Sequence, residues 1–428
     1  MTGGTAARAV AAAALLAAGA LAASWLWPSS STVVIRVPGD AATIQAAIDL
    51  APDGGTVLIA DGVYSGIGNY DIDPAGKRIT IRSTGGPDKC IIDCQRKGRG
   101  FVLQSGETLA TVISGLTIRN GYWVGTGGGI ACISASPTIE QCHIEQCTAY
   151  YLGGGILCSA SRAVIRNCAF RNNLAGTWGG GISCVGGGAA RIESCGLTGN
   201  FAVGRGGGFY SEDTGLRVVN CTVSGNYARQ GGGAYLFISH GAELSNCLFA
   251  RNNGRRRGGG VSLDRTSAAI SNCTFWLNEA GERGGAVNCE RSSPLLLNCI
   301  LWDNTAAAGP ELAVGGYDAL SQMIVRHSNI RGGAAAAIVE PLSVLRWAEG
   351  MMSEDPLFIE DPDGRLCLSQ RRAGQQHDSP CVDRGSKPAT GICFSVNGGS
   401  TCLDQFSTRV DGGPDQGQAD MGVHWRRK

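Results

Sequence analysis

The stretch at residues 153–178, GGGILCSASRAVIRNCAFRNNLAGTW, decides the fold, because its landmarks recur about 26 residues earlier and later. Its opening triplet returns as Gly127-Gly128-Gly129-Ile130, Gly179-Gly180-Gly181-Ile182, Gly206-Gly207-Gly208-Phe209, Gly231-Gly232-Gly233-Ala234 and Gly258-Gly259-Gly260-Val261, with a variant at Gly284-Gly285-Ala286-Val287. Its Cys168 belongs to a second ladder, Cys142, Cys168, Cys195, Cys221, Cys247, Cys273 and Cys299. Three residues before each cysteine stands an aliphatic side chain, Ile139, Ile165, Ile192, Val218, Leu244, Ile270 or Leu296. Two residues after stands Ile144, Phe170, Leu197, Val223, Phe249, Phe275 or Leu301. Five residues after comes asparagine, Asn173, Asn200, Asn226, Asn252, Asn278 and Asn304, with Cys147 as the exception. In-phase columns at this period mark a solenoid of stacked units.

The step of two from cysteine to the next apolar residue is strand alternation with one buried face, and the step of three before it requires a bend. A helix is excluded, since β-branched residues dominate the buried columns and a glycine triplet would interrupt every unit. Each repeat therefore reads as one coil of short strands, rising about 4.8 Å, in a parallel β-helix. Glycine suits positive φ or close backbone approach, asparagine tolerates left-handed turns and bonds along its ladder, and cysteine packs as a small apolar residue. The cysteine ladder, with Cys132, Cys158, Cys184 and Cys289 behind the glycine columns, is thus expected to be buried thiols rather than a metal or redox wire. Cys90 and Cys94 are less regular and could pair, and Cys367, Cys381, Cys393 and Cys402 in the tail predict two disulfides.

The 428 residues include 66 glycines and 14 prolines, and 36 basic against 35 acidic side chains leave a net charge of +1. That balance excludes nucleic acid as the partner, since phosphate binding needs a clustered positive excess. Residues 1–27 place Arg8 before an alanine- and leucine-rich run ending in small residues, the layout of a secretory signal peptide. Trp25, Leu26 and Trp27 extend the run, so a retained N-terminal anchor is the other reading. Both predict an exported body, secreted or held at the cell surface or in the periplasm, and no later apolar run is long enough to cross a bilayer. Thr43 to Leu50, with Ile44, Ala47 and Ile48 on one face, predicts a short helix capping the N-terminal opening. Residues 33–350 are then the β-helix with its cap. Residues 351–428, opened by Asp355-Pro356 and Asp361-Pro362-Asp363-Gly364, read as a loop-rich C-terminal lid.

Acid–base chemistry needs paired groups, and the repeat carboxylates Glu140, Glu145, Glu193, Glu212, Asp213, Glu243, Asp264, Glu279 and Glu282 do not read as adjacent columns. His143, His240, His327, His377 and His424 share no register and are expected at the surface. No cofactor is expected. The one metal considered is calcium, on Asp355, Asp361, Asp363, Asp411, Asp415 and Asp420, although their spacing matches no calcium loop and turn formation is the plainer account.

One surface feature is organised. In the turn before the glycine triplets, early coils carry Tyr122, Trp123, Tyr150, Tyr151 and Trp178, and later coils carry Arg205, Arg229, Arg255, Arg256, Arg257 and Arg283. Stacking is expected to align these along one edge, aromatic in one half and basic in the other. Ring faces suit sugars and arginines offer paired donors to carboxylate or sulfate, so the edge is expected either to bind an anionic glycan or to be a solvated turn without a ligand. The binding candidates are Tyr122, Trp123, Tyr151, Trp178, Arg205, Arg229, Arg256, Arg257 and Arg283; no residue is assigned a catalytic role.

The chain resembles bacterial secreted right-handed parallel β-helix repeat proteins of the pectin-lyase-like superfamily. The likeness rests on Val37-Pro38-Gly39-Asp40 leading into Thr43-Ile44-Gln45-Ala46-Ala47-Ile48, on Ile91-Ile92-Asp93-Cys94 with Gly98-Arg99-Gly100-Phe101, on the glycine-triplet coils, and on Ser379-Pro380-Cys381-Val382-Asp383 with Asp411-Gly412 and Asp420-Met421-Gly422. The coils are also similar to repeats of polymorphic outer-membrane proteins, with Phe170 to Asn173, Phe249 to Asn252 and Phe275 to Asn278 matching Phe-x-x-Asn and Gly284-Gly285-Ala286-Val287 matching the glycine motif. The resemblance implies an all-β, right-handed solenoid but no single activity, because the superfold hosts lyases, hydrolases, epimerases and non-catalytic surface proteins. Two functions stay open: a non-catalytic protein binding glycan or another envelope component, and a polysaccharide lyase or glycoside hydrolase using an arginine of the basic edge with Asp213 or Asp264.

Overall fold

In the computed structural model, residues 33–316, 320–396 and 399–426 are described; the predicted export segment, 1–27, lies outside them. One coil shows how the columns become a rod. Thr138–Glu140, His143–Glu145, Thr148–Ala149 and Ile156–Ser159 are four short strands, here called faces 1 to 4 in chain order. The next coil lies over it in register, with Ile165 on Ile139, Phe170 on Ile144 and Cys184 on Cys158. Repetition gives parallel sheets of 13, 11, 7 and 10 strands on faces 1, 2, 3 and 4. The inward files of faces 1, 2 and 4 and the cysteines form one continuous apolar core. Helix α1, Ile44–Leu50, buries Ile44, Ala47 and Ile48 in that core, the face expected of it. Among the described residues, no helix is long and apolar enough to cross a membrane.

The corners correct one expectation. The left-handed residue at each bend is not the ladder asparagine but the residue before the interior column. Asn167, Asn220, Asn246 and Asn272 take φ of 52° to 55° just ahead of a ladder cysteine, and Asn172, Gly199 and Gly225 take φ of 54° to 66° just ahead of a ladder asparagine. The ladder asparagines stay inside and bond along the column. Asn200 donates from Nδ2 to the Phe170 carbonyl at 3.1 Å and to Asn226 Oδ1 at 3.0 Å, while its own Oδ1 accepts the Asn173 N–H and Nδ2. The column therefore satisfies buried backbone groups that a corner would otherwise strand. Burial pushes the Cys147 and Cys289 thiols up to about 12.

The asparagine ladder ends in a carboxyl group. Glu311 reaches in from the following turn and accepts Asn304 Nδ2 at 2.6 Å and the Asn304 N–H at 3.3 Å. Burial pushes Glu311 up to about 7 from 4.5. Its proton is held more tightly in the folded than in the unfolded chain, so its contribution to stability is full below about 4.5 and is lost as pH rises to about 7. The loss amounts to roughly 3 kcal/mol. Urea unfolding of the wild type at about pH 5 and about pH 8 should show a larger difference than Glu311→Gln shows under the same conditions. Equal differences in the two proteins would remove Glu311 as the titrating group.

The glycine triplets run directly against the backbone of face 3. A Cβ at Gly207 would lie 2.5 Å from both the Gly232 and Tyr227 carbonyl oxygens, and the inward file of face 3 is kept small, with Ala149, Ala175, Ala202, Ala228 and Ala280 buried.

Trp347 and Met351 pack on the last apolar coil. Beyond them the chain is not stacked on the rod's end as the expected lid; it doubles back along the flank. Leu366 and Val423 cover Leu248 and Ala250, Leu368 and Met421 cover Ile300, and Leu403 and Ala419 cover Val219. The physical reason is that face 2 carries outward apolar side chains, Leu248, Trp276, Ile300 and Trp302, that need covering. Of two disulfides expected here one forms, Cys393–Cys402 across a hairpin, while Cys367 and Cys381 are buried thiols, as are Cys90 and Cys94.

Candidate functional site

Strand alternation sorts the predicted edge residues into two groups. Leu152, Trp178, Arg205, Gln230, Arg257 and Arg283 form one in-register file immediately ahead of the glycine triplets. Trp178, Arg205, Arg257 and Arg283 fold onto the outer side of face 4. There they meet outward residues that stand two and four places after each triplet. Tyr210 and Tyr235 share one file, and Glu212, Phe237, Asp264 and Glu290 share the next. Asp264 and Glu290 are thus side by side in adjacent coils, which corrects the expectation that no carboxylates pair by register. Sequence reasoning missed Glu290, Tyr210, Tyr235 and Arg291; counting two and four places past every triplet would have found the first three.

Most charged groups of this cluster pair with one another. Arg291 grips Asp264 with Nε at 2.8 Å and NH2 at 2.7 Å, and Tyr235 donates to Asp264 Oδ2 at 3.1 Å. Arg257 bonds Glu290, and Arg283, 7% exposed, bonds Glu340 at 2.9 Å and the Gly315 carbonyl at 3.0 Å. Arg205 lies over the rings of Tyr235 at 4.8 Å and Trp178 at 5.5 Å, with Tyr210 against Trp178 at 4.9 Å. Burial pushes both tyrosine hydroxyls upward, with Glu212 accepting from one and Asp264 from the other. Such tyrosines hold their protons and are poor bases. Asp213 stands apart, at an exposed left-handed turn.

The second group faces outward from face 3. Tyr122 and Trp123 lie under Arg96 and Arg99, at 4.9 Å and 4.3 Å, and Tyr150 and Tyr151 meet edge to face at 4.9 Å. Farther along the rod, Phe201 and Tyr227 are register partners whose rings stack at 5.2 Å, with only 3° between their planes. They floor a concavity of about 820 Å³ walled by Val203, Arg229, Arg255, Arg256 and Glu282. Arg256 bonds Glu282 at 2.5 Å, and that bond holds the Glu282 carboxyl below its usual range. Arg229 and Arg255 are exposed and make no ion pair among the described residues. Of the nine candidates, then, Arg229 and Arg256 share this concavity; Tyr122, Trp123 and Tyr151 lie on the same face nearer the N-terminal end; Trp178, Arg205, Arg257 and Arg283 belong to face 4. Phe201 and Tyr227 were missed because they start the face-3 strands, ahead of the arginines that drew attention in these coils.

In the C-terminal region, Asp383, Asp415 and Asp420 bring carboxylate oxygens within 4.8 Å of one another. Asp383 was not among the residues considered for calcium. Asp415 also accepts from His424 at 2.8 Å; His424 is fully buried, against the expectation of a surface histidine. Burial, with Asp415 beside it, pushes Asp420 up to about 6. The other four aspartates do not join this group: Asp355 and Asp361 cap their own turns, while Asp363 and Asp411 pair with Arg365 and Arg409.

The family model described as a right handed beta helix region matches residues 69–226 and 154–340, together more than half of the chain. No curated protein matches it in sequence. Solved structures similar to it include a PL6 family alginate lyase, AlyGC, at 13% identity and a TM-score of 0.45, covering 83% of this chain. The chain spans 58% of that lyase's length. The pectate lyase Pel9A matches at 14% identity and a TM-score of 0.43, covering 91% of this chain and 96% of the other. The catalytic unit of a thermostable GH87 α-1,3-glucanase from Streptomyces thermodiastaticus matches at 10% identity and a TM-score of 0.38, covering 83% and 72%.

Proposed function

The chain belongs to the family of right-handed β-helix proteins, and from that premise we propose that it is an exported, non-catalytic protein that binds an acidic envelope glycan on the outer side of face 3. One observation carries this reading: the stacked rings of Phe201 and Tyr227 lie beside Arg229 and Arg255 in one concavity. A flat aromatic floor matches the apolar side of a sugar ring, and guanidinium groups with no ion-pair partner among the described residues match its carboxylate or sulfate. Export is supported by the apolar leader at residues 1–27 and by a disulfide at Cys393–Cys402, a bond that persists in oxidising compartments. The non-catalytic half is supported by the ion pairs that Asp264, Glu290 and Glu340 already make with Arg291, Arg257 and Arg283 on face 4.

Retention of the mature protein on immobilised polyuronate tests the reading. The double variant Phe201→Ala, Tyr227→Ala should bind about 30-fold more weakly, as expected for two lost aromatic anchors. Wild-type binding should weaken as salt is raised. Undiminished binding by the double variant would end it.

A second reading, a polysaccharide lyase or glycoside hydrolase, rests on Arg257 standing among Glu290, Glu282 and the Asp264 cluster. It predicts unsaturated or shortened products from a polysaccharide, and loss of them in Arg257→Ala. No product from any uronic-acid or neutral glucan tested would leave the binding reading alone.

A further inference from the structure

We infer that the trough between face 1 and the C-terminal segment at residues 386–394 is a second binding site, one that takes an extended, acidic peptide through its main chain. This trough, about 390 Å³ in volume, is separate from the face-3 concavity, and its lining includes Ser245, Ser271, Asn272, Asn298, Ser386 and Lys387. The argument turns on one external column. Asn220, Asn246, Asn272 and Asn298 occupy the same left-handed corner in four successive coils.

What these carboxamides bind is visible at the flanking coils. Asn246 accepts the His424 N–H at 2.6 Å and donates to the His424 carbonyl at 2.7 Å, gripping both main-chain groups of one residue. Asn298 accepts the Ser386 N–H at 2.8 Å. Asn272, between them, is fully buried, yet among the described residues neither its Oδ1 nor its Nδ2 has a hydrogen-bond partner. Asn298 Nδ2 and Ser386 Oγ, beside it, likewise have no partner among the described residues. Four buried polar atoms left open in one place are costly unless a ligand group fills them.

The donor and acceptor of a carboxamide lie on one side of the group, and the N–H and C=O of a single residue in an extended chain meet them together, as His424 does on Asn246. An isolated trans amide, whose N–H and C=O point oppositely, does not. Ile392 and Phe394 supply an apolar wall for the peptide's side chains, and exposed Lys387 adds positive charge at the rim, which favours an acidic peptide.

The probe is N-acetyl-Glu-Ala-Ala-Ala-Glu amide titrated into the full mature chain, beside the same peptide N-methylated at the central alanine and beside cellobiose. The parent peptide should bind and the N-methyl peptide should bind about tenfold more weakly, since one buried donor is removed. Asn272→Leu should abolish that discrimination, and Phe201→Ala should leave it unchanged, which separates this site from the glycan site. Equal binding of the two peptides to the unaltered chain, no peptide binding, or binding of cellobiose alone would each overturn the proposal. The comparison on the unaltered chain decides even if Asn272→Leu fails to fold.

Discussion

Alanine at Gly207 is expected to destabilise the protein by roughly 4 kcal/mol or more, the range reached when no side-chain rotation relieves a clash. The new Cβ would sit 2.5 Å from the carbonyl oxygens of Gly232 and Tyr227, both main-chain atoms of the following coil. Neither can retreat without breaking the parallel ladders of faces 3 and 4. Gly225 is the contrasting case: it has the positive φ that Gly207 lacks, but nothing within 4 Å of its would-be Cβ. Gly225→Ala should cost about 1 kcal/mol, the strain of a left-handed alanine alone. Chemical unfolding of the two variants side by side checks this. Similar losses in both would mean that close backbone approach is not what Gly207 provides.

Leucine at Asn226 is expected to cost roughly 4 kcal/mol although the number of heavy atoms is unchanged, because several buried groups lose partners at once. Asn226 donates to the Leu197 carbonyl at 2.9 Å and to Asn252 Oδ1 at 3.0 Å, and its Oδ1 accepts the Asn200 N–H and Nδ2. In a solenoid each coil is held by its neighbours, so the loss should spread to both adjacent coils. Hydrogen exchange should accelerate at Leu197, Asn200 and Asn252 together. A loss below about 1 kcal/mol would show that the ladder is incidental to stability.

The rod was legible because seven in-phase cysteines and six in-phase asparagines leave few other ways to stack. The bend chemistry was legible only in part. The left-handed position is filled by Asn167, Ser194, Asn220 and others, a mixed set that no single letter marks. For the site, residue type drew attention to the arginines, but alternation decides where they go. Arg257, immediately before its triplet, folds onto Glu290, while Arg256, one place earlier, turns outward to Glu282. The placement of the C-terminal region was not legible at all. Its anchors are contacts such as His424 with Asn246, 178 residues apart in sequence, and no local pattern announces them.

Hydroxyl-radical footprinting of the mature protein with and without an acidic oligosaccharide tests the proposed glycan site most directly. Protection confined to Phe201, Tyr227 and their neighbours on face 3, with the rings of Trp276 and Trp302 under the C-terminal flank unchanged, is the predicted result. Protection on face 4 or the flank, with Phe201 and Tyr227 as reactive as in the free protein, would contradict it.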